Sequence, residues 1–182
     1  MARGGVRFLA EDIWEAPDDG KIYEVIDGDL YVTPAPSWRH QRGLNRLNRR
    51  VFNHVIEHDL GEVVTAPTGV VLDDENGVQP DLLYISRGRL HIISERGVEG
   101  APDLIVEVLS PRTAARDRGI KRRRYAAAGV RYYWIVDPAN QTLEEYRLGT
   151  GGYELLGVHG PGDVFRPELF PGLEIPTDDL WA

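Results

Sequence analysis

Cysteine is absent from this chain of 182 residues, methionine occurs once and lysine only twice. Without cysteine, disulfide bonds, thiolate nucleophiles and zinc–thiolate sites are excluded. No segment reaches the ~18 consecutive apolar residues that a membrane helix needs. Residues 1–14 also lack the apolar core and the small-residue cleavage site of a secretion signal. We therefore expect a cytoplasmic protein that has no membrane partner.

The charged residues are unevenly distributed along the chain. The net charge of −8 argues at first sight against a nucleic-acid partner. However, twelve of the 21 basic residues fall in two short segments, residues 39–50 and 112–124, and both segments have helical periodicity. Such segments form either solvated helix faces or surfaces that follow a phosphate backbone. Because arginine dominates the basic residues, Lys121 stands out as one of only two lysines.

The hydrophobic pattern predicts both helices and strands. With 42% apolar residues, the chain is long enough for one core of ordinary size, and we expect one domain over residues 1–182. Helices are predicted over residues 9–15, 38–60 and 113–128. Strands are predicted over residues 21–26, 29–33, 62–66, 70–72, 78–85, 104–109, 132–137, 141–148 and 153–158. The remaining segments are predicted as a turn at 73–77, an exposed connection at 86–100 and a tail with little pattern.

This order of elements predicts an α/β or α+β fold with a central mixed sheet flanked by helices. A hairpin is expected near the N-terminus, because Asp27-Gly28 between two alternating segments is a strong hairpin signal. A second hairpin is expected near the C-terminus, where residues 137–140 form a turn between two predicted strands.

A glutamate interrupts an otherwise apolar strand in the second half of the chain. Residues 104–109, LIVEVL, are apolar except for Glu107, and turn residues bound the run on both sides. Such a run is typical of a strand covered on both faces. Because desolvation of its charge is costly, a glutamate is rarely buried without a partner. Glu107 therefore either forms a structural ion pair or lines a polar cleft or metal site.

Asp81 and Lys121 are the other candidates for the same site. Asp81 directly precedes apolar strand residues, and two ionised carboxylates on neighbouring strands would repel each other. A divalent cation removes that repulsion. Mg²⁺ (or Mn²⁺) is usually held by one or two carboxylates together with water and phosphate oxygens, and the backbone carbonyl of Val108 is a further candidate ligand. Lys121 would then orient the attacking water or stabilise the transition state.

Glu24 and His40 are secondary candidates. Glu24 shares a strand face with two isoleucines, so it either adds a carboxylate to the metal side of the site, holds a water there, or pairs with an arginine on the long helix. His40, near the start of that helix, is a phosphate contact, a proton carrier or a partly exposed structural residue. Asp117 either orients Lys121 or forms a surface pair with it, and Tyr125 is predicted to belong to the core.

Several motifs together resemble one protein family. The matching segments are YEVIDG at 23–28, HQ at 40–41, PDL at 80–82, PDLIVEVLSP at 102–111 and YWIVDP at 133–138. Asp117, Lys121 and Tyr125 fall between the last two segments. In order and spacing, residues 8–175 resemble the Uma2 family, a branch of the PD-(D/E)xK nuclease superfamily.

The resemblance implies a restriction-endonuclease-like fold and a metal-dependent nuclease that hydrolyses DNA phosphodiester bonds, with Mg²⁺ or Mn²⁺ as the cofactor. By this resemblance Asp81 and Glu107 are the acidic metal ligands. Position 109 is leucine where the superfamily usually has its catalytic lysine. The resemblance to Uma2 implies that Lys121 takes the role of that lysine.

The partners expected for such a protein are DNA and a second copy of the chain. The arginines expected to contact the DNA backbone are Arg39, Arg42, Arg122 and Arg123. A homodimer is expected because cutting both strands favours paired sites and twofold symmetry is the commonest arrangement. The alternative function is a catalytically silent module that binds DNA or protein through the same cleft. Hydrolysis of a small phosphodiester is a third possibility.

Overall fold

A six-stranded mixed sheet forms the middle layer of the molecule. The computed structural model describes residues 6–182, so residues 1–5 of the segment considered for a secretion signal lie outside the described residues. A long helix covers one face of the sheet, and a five-stranded sheet together with a shorter helix covers the other. No helix between residues 6 and 182 combines the length and the apolar character that crossing a membrane requires.

Thirteen strands are present in the described residues. They are β1 Ile22–Ile26, β2 Asp29–Thr33, β3 Gly61–Thr65, β4 Val70–Asp73, β5 Asn76–Val78, β6 Leu82–Ser86, β7 Val98–Glu99, β8 Leu104–Val108, β9 Tyr132–Asp137, β10 Thr142–Gly149, β11 Gly152–His159, β12 Val164–Phe165 and β13 Ile175–Pro176. The helices are α1 Trp38–Glu57, α2 Ala114–Arg116, α3 Arg122–Ala128 and α4 Asp178–Trp181, with 3-10 turns at Ala10–Glu15 and Arg87–Ile92.

The two larger sheets confirm the predicted mixed architecture with hairpins near both ends. The six-stranded sheet has the order β11-β10-β9-β8-β6-β3, in which only β8 and β9 are parallel. The five-stranded sheet has the order β2-β1-β5-β4-β7. The first hairpin joins β1 to β2 through Asp27-Gly28, and the predicted C-terminal hairpin joins β9 to β10.

Alternate residues of the central strands supply two separate hydrophobic clusters, as the twofold period of a strand requires. Val106 of β8 faces α1 and the C-terminal segment, where it packs with Leu47 and Phe170. Ile105 of the same strand faces the other way and packs with Val78 of the five-stranded sheet and Tyr125 of α3. Because both faces are covered, the middle strands are apolar almost throughout.

The C-terminal tail is more ordered than the sequence pattern indicated. Residues 159–182 contain β12, β13 and α4, and they contribute Phe165, Phe170 and Ile175 to the cluster that α1 covers. These apolar residues are spaced by loops rather than by a helical or strand period, so no periodicity revealed them. The connection predicted at residues 86–100 likewise contains a 3-10 turn and the short strand β7.

Two predicted elements are each divided by a local feature. The strand predicted at 78–85 becomes β5 and β6, because Pro80 between them has no N–H to donate to a sheet. The helix predicted at 113–128 is interrupted by a π-helical turn at Asp117–Lys121. A π-turn adds a residue to one helical turn and changes the direction of the side chains that follow.

One glycine is required by the packing of the N-terminal 3-10 turn on the five-stranded sheet. The backbone of Ala10 lies directly over Gly77 of β5, so a Cβ atom at position 77 would collide with the Ala10 carbonyl oxygen. The neighbouring N–H of Ala10 donates a hydrogen bond to the Asp74 carbonyl, which fixes the turn in this position. Gly77 therefore permits an approach of two backbones that any side chain would prevent.

We predict that Gly77→Ala lowers the free energy of unfolding by roughly 1–3 kcal/mol, because one of the two backbones must move. Gly119→Ala is the control, since a Cβ atom there meets nothing within 4 Å. In that helical position alanine should be neutral or stabilising by up to about 1 kcal/mol. Urea unfolding followed by circular dichroism measures both values, and equal stability of the two variants would contradict the packing described.

Candidate functional site

The two halves of the chain meet at a cavity of about 380 Å³. It opens where β8 ends, β6 begins and the first turn of α1 approaches the π-helical turn. The titratable side chains that line it are Glu24, His40, Asp81, Glu107, Arg112, Arg116, Asp117 and Lys121. The structure thus brings together Asp81, Glu107, Lys121, Glu24 and His40, all of which were selected from the sequence.

Strand register places Asp81 next to Glu107. In the antiparallel pair of β6 and β8, Leu82 lies opposite Val106 and Leu83 opposite Ile105. Continuing this register by one residue sets Asp81 opposite Glu107. Both side chains are almost fully buried, with 7% and 4% of their residue surface exposed. The two acids of the sequence motif therefore lie at one edge of the sheet.

The carboxylate of Asp81 is held by two contacts. Its Oδ2 accepts a 2.7 Å hydrogen bond from the backbone N–H of Val108, and its Oδ1 lies 3.1 Å from Nε2 of His40. Val108, whose carbonyl is a candidate metal ligand, also lines the cavity, and its N–H makes the contact with Asp81. The second ring nitrogen of His40, Nδ1, is buried without a partner among residues 6–182.

Lys121 lies among three carboxylates. Its Nζ is 2.6 Å from Oε1 of Glu107, 2.7 Å from Oε1 of Glu24 and 3.8 Å from Oδ1 of Asp117. The lysine and all three acids are buried. The π-turn explains this geometry, because it contains both Asp117 and Lys121 and turns them towards the sheet edge. Asp117 is consequently a buried neighbour of Lys121 and not a surface partner.

The pKa values in the cavity are set by burial and by the ammonium group of Lys121, which lies beside several acids. Burial raises the pKa of Glu107 well above its ordinary value, and the attraction of Lys121 offsets this only in part. Burial also raises the pKa of Asp117. Burial by itself would lower the pKa of Lys121, but the charges of Glu107, Glu24 and Asp117 outweigh it and hold that pKa well above its usual value. Lys121 is therefore charged at neutral pH.

Arg116 is a site residue that the sequence analysis did not select. One of its guanidinium nitrogens lies 3.5 Å from Oε2 of Glu24 and donates to the hydroxyl of Thr33 at 2.9 Å. The charged partners of Glu24 are therefore Arg116 and Lys121, and not an arginine of the long helix; the backbone N–H of Gln79 also donates to Oε1 of Glu24 at 3.1 Å. Arg116 was hidden in a run of basic residues, and nothing in its spacing distinguished it from its neighbours.

Tyr125 belongs to the core, as predicted, and also reaches the site. Its ring is fully buried, and its hydroxyl donates a 2.5 Å hydrogen bond to Oε1 of Glu107. Tyr133 of β9 donates to the backbone carbonyl of Asp117 at 3.1 Å. These two tyrosines fix the orientation of the acids from the core side, because a buried hydroxyl needs a hydrogen-bond partner.

The four arginines expected to contact DNA have different environments. Arg39 and Arg42 are exposed on the first turns of α1 and line a second, smaller depression beside the cavity. Arg123 is exposed on α3. Arg122 is partly buried, with its guanidinium carbon 4.4 Å from the ring centre of Tyr146. This arginine contributes to packing between α3 and the sheet.

Internal ion pairs use much of the basic charge that the sequence concentrates in two segments. In the first segment, Arg50 pairs with Asp179, and Arg46 donates to backbone carbonyls of the C-terminal helix. In the second segment, besides Lys121, Arg116 pairs with Glu24, Arg118 with Glu144 and Asp137, and Arg124 with Asp27. The two basic segments therefore serve in part as structural ion-pair partners.

A divalent cation fits the chemistry of this donor set. Four carboxylates line the cavity, against three cationic side chains. Both described hydrogen-bonding contacts of Glu107 are made by Oε1, which leaves Oε2 for a ligand. Among residues 6–182 no three or more acids and histidines are close enough to form a complete metal cage. Mg²⁺ needs only one or two carboxylates when water and phosphate oxygens supply the remaining ligands.

We predict opposite stability effects at the two ends of the central ion pair. Glu107→Gln should raise the free energy of unfolding at neutral pH by roughly 1 kcal/mol, because it removes the repulsion between Glu107 and the neighbouring acids while Glu24 still pairs with Lys121. Lys121→Met should lower it by about 3–5 kcal/mol, since three acids would lose their ammonium partner. Lys21→Met, at the only other lysine, is the control: Lys21 is exposed and pairs with Asp19 at the surface, so stability should change by less than about 1 kcal/mol.

The pH dependence of unfolding gives an independent check. The stability contributed by protonated Glu107 is fully present below the ordinary glutamate pKa of about 4.3 and is lost as the pH rises through its raised folded-state pKa. In Glu107→Gln the fall in stability with pH should therefore be smaller than in the natural protein. An identical pH profile for both would contradict the raised pKa.

Comparison with known proteins identifies the fold and the family of the chain. No curated protein matches the chain. The fold is similar to the crystal structure of a putative nuclease belonging to DUF820 from Anabaena variabilis ATCC 29413, with a TM-score of 0.78 and 19% identity over 96% of this chain and 97% of that one. Residues 10–178 match the family model Uma2, described as a putative restriction endonuclease. Because this match covers almost the whole chain, the protein belongs to the Uma2 family.

Proposed function

We propose that this protein is a nuclease that hydrolyses DNA phosphodiester bonds with the help of a divalent cation, Mg²⁺ or Mn²⁺. Membership of the Uma2 family supports the general class, a nuclease-like protein. The observation that carries the proposal is the meeting of Asp81, Glu107 and Lys121 at one cavity, with the lysine amine 2.6 Å from Glu107. This places hard oxygen donors beside a permanent positive charge.

The acids and the lysine have different proposed roles. Asp81 and Glu107 would hold the cation, which when bound activates a water and neutralises charge on the leaving oxygen. Asp81 is oriented for this by the Val108 N–H and by His40. Lys121 orients Glu107 and presents its charge to the oxygens of the phosphate under attack. Glu24 and Asp117 keep that ammonium in place.

His40 is suited to a role in handling protons or phosphate. Its Nε2 faces Asp81, while its buried Nδ1 lacks a partner within the described part of the chain. A buried polar atom without a partner is costly, so a water or a substrate oxygen at Nδ1 would stabilise the bound state. We propose that His40 contacts the phosphate or the water next to it.

DNA is the proposed substrate because exposed arginines lie at the cavity and on the first turns of α1, whose cap Ser37 and residue His40 line the cavity. Arg112 lines the cavity itself, and Arg39 and Arg42 lie beside it on α1. All three are exposed, and within residues 6–182 they form no ion pair with an acid. Their charge is thus available for phosphates although the whole chain carries −8. We place Arg123, exposed on α3, at the edge of this surface.

The second candidate function is a catalytically silent module that binds DNA or protein. It is favoured by the fact that each carboxylate of the site already has a partner within the chain. Lys121 pairs with Glu107 and Glu24, and Asp81 is satisfied by Val108 and His40. Such a site does not need a metal in order to fold, so binding without cleavage is a real alternative.

We also propose that residues 1–182 form one domain and that the protein is cytoplasmic. We further propose that it forms a homodimer through β11. This strand is an outer strand of the six-stranded sheet, and Leu155 and Val158 on it are 52% and 54% exposed. Antiparallel pairing of β11 with a second copy, centred between residues 156 and 157, would set Leu155 against Val158. The same register sets Glu154 against His159, so a hydrogen-bonding pair flanks the apolar contact on each side of the twofold axis.

Cleavage of supercoiled plasmid DNA tests the proposed function. Nicking should require Mg²⁺ or Mn²⁺ and should fall at least about 100-fold in Asp81→Asn and Glu107→Gln, because each removes a charged oxygen donor. Glu99→Gln is the matched control, because Glu99 is an exposed residue of β7, and it should cleave at the same rate as the natural protein. A purified protein that binds many DNA substrates and cuts none would favour the silent module.

The dimer has a separate test. Val158→Lys should convert a dimer to a monomer in sedimentation or light scattering, since a lysine on an edge strand opposes pairing with another strand. Val32→Lys is the control, because Val32 is an exposed apolar residue on β2, the edge of the other sheet. A natural protein that is monomeric at all concentrations, or a Val158→Lys variant that stays dimeric, would contradict this interface.

A further inference from the structure

Trp38 is the most exposed of the large apolar side chains on α1. It is 81% exposed, whereas Trp134 is fully buried and the other two tryptophans are partly buried. A tryptophan ring costs most when left in water, because it is the largest apolar side chain. Neither hydrophobic cluster of the described residues contains Trp38, so its ring is free to contact a ligand.

The position of Trp38 connects it to the proposed active cavity. It is the first residue of α1, directly after Ser37, which caps the helix and lines the cavity, and two residues before His40. Residues 34–36, Pro-Ala-Pro, form the adjoining cavity wall and restrict the backbone before the helix. Trp38 also lines the smaller neighbouring depression of about 160 Å³. The ring therefore stands on a rigid rim between two concave surfaces.

The charges around Trp38 indicate what kind of ligand it meets. Arg39 and Arg42 line the same small depression, both are exposed, and no acid within residues 6–182 pairs with either. The first turn of α1 contains no acidic residue. Further along the helix the pattern changes, since Arg50 is bound to Asp179. An aromatic face flanked by free guanidinium groups matches the alternating bases and phosphates of a nucleic-acid strand.

We propose that Trp38 is a stacking platform for an unpaired base, and that Arg39 and Arg42 bind the phosphates on either side of it. This inference rests on the proposed function and specifies its substrate: DNA that has a single-stranded segment at the cavity. In an uninterrupted duplex the bases stack on one another and present no free face to an aromatic ring. In a single strand every base has such a face, so recognition by Trp38 would not depend on sequence.

Binding in the absence of cleavage tests the proposal. The probe is a fluorescent oligothymidylate of about 12 nucleotides, titrated with the protein in EDTA and followed by anisotropy. Trp38→Ala should raise the Kd by about 10-fold, and Trp38→Phe should raise it less because a ring remains. Phe52→Ala is the control: Phe52 is an exposed aromatic residue of the same helix, about 21 Å along its axis.

Charge variants and tryptophan fluorescence extend the test. Arg42→Ala should weaken binding and reduce its salt dependence by about one phosphate contact, whereas Arg49→Ala, exposed further along α1, should do neither. Oligothymidylate should quench tryptophan emission in the natural protein and not in Trp38→Ala. A duplex of equal length should bind with the same Kd to both proteins.

Failure of this proposal is distinguishable from failure of the proposed function. If Trp38→Ala binds oligothymidylate as the natural protein does, or if the natural protein does not bind it, the stacking role is wrong even if plasmid cleavage is observed. If binding depends on Trp38 but no DNA is ever cut, the stacking role stands and the hydrolysis is wrong. Equal loss of duplex and single-strand binding in Trp38→Ala would overturn the specificity for unpaired bases.

Discussion

The buried ammonium group of Lys121 is the interaction on which the site depends. It lies within 4 Å of Glu24, Glu107 and Asp117, which come from three different parts of the chain. Without it, the first hairpin, the central sheet and the π-turn would bring three acids together in a place that water barely reaches. Arg116 adds a second positive charge beside Glu24, but burial still raises the pKa of Glu107 more than Lys121 lowers it.

The buried acids that the proposed function needs lower the stability of the fold. A carboxylate that is buried and only partly neutralised destabilises the fold, and such positions are typical of functional sites. The surrounding core supports the strain: Tyr125 donates to Glu107 and Tyr133 donates to the backbone of Asp117. The π-turn also orients the site, because a regular helix would direct the side chains of Asp117 and Lys121 differently. A cation at Asp81 and Glu107 would complete the charge balance.

Sequence reasoning predicted the elements that have a clear period or a clear anomaly. The strand around Glu107 and the first hairpin are present, since a polar residue in an apolar strand and an Asp-Gly turn are strong local signals. The contribution of Phe165 and Phe170 to the core was missed, because these residues lie in irregular segments. Arg116 was missed because its role depends on contact with Glu24, far away in the sequence.

The most direct test of the account is the position of a bound metal. A crystal soaked in Mn²⁺ and measured near the manganese absorption edge should show an anomalous peak between the carboxylates of Asp81 and Glu107. The same peak should be absent from crystals of Glu107→Gln, in which one donor is uncharged. A peak elsewhere on the surface, or no peak at a high Mn²⁺ concentration in well-ordered crystals, would contradict a metal-dependent site and leave Lys121 as the centre of a structural ion-pair cluster.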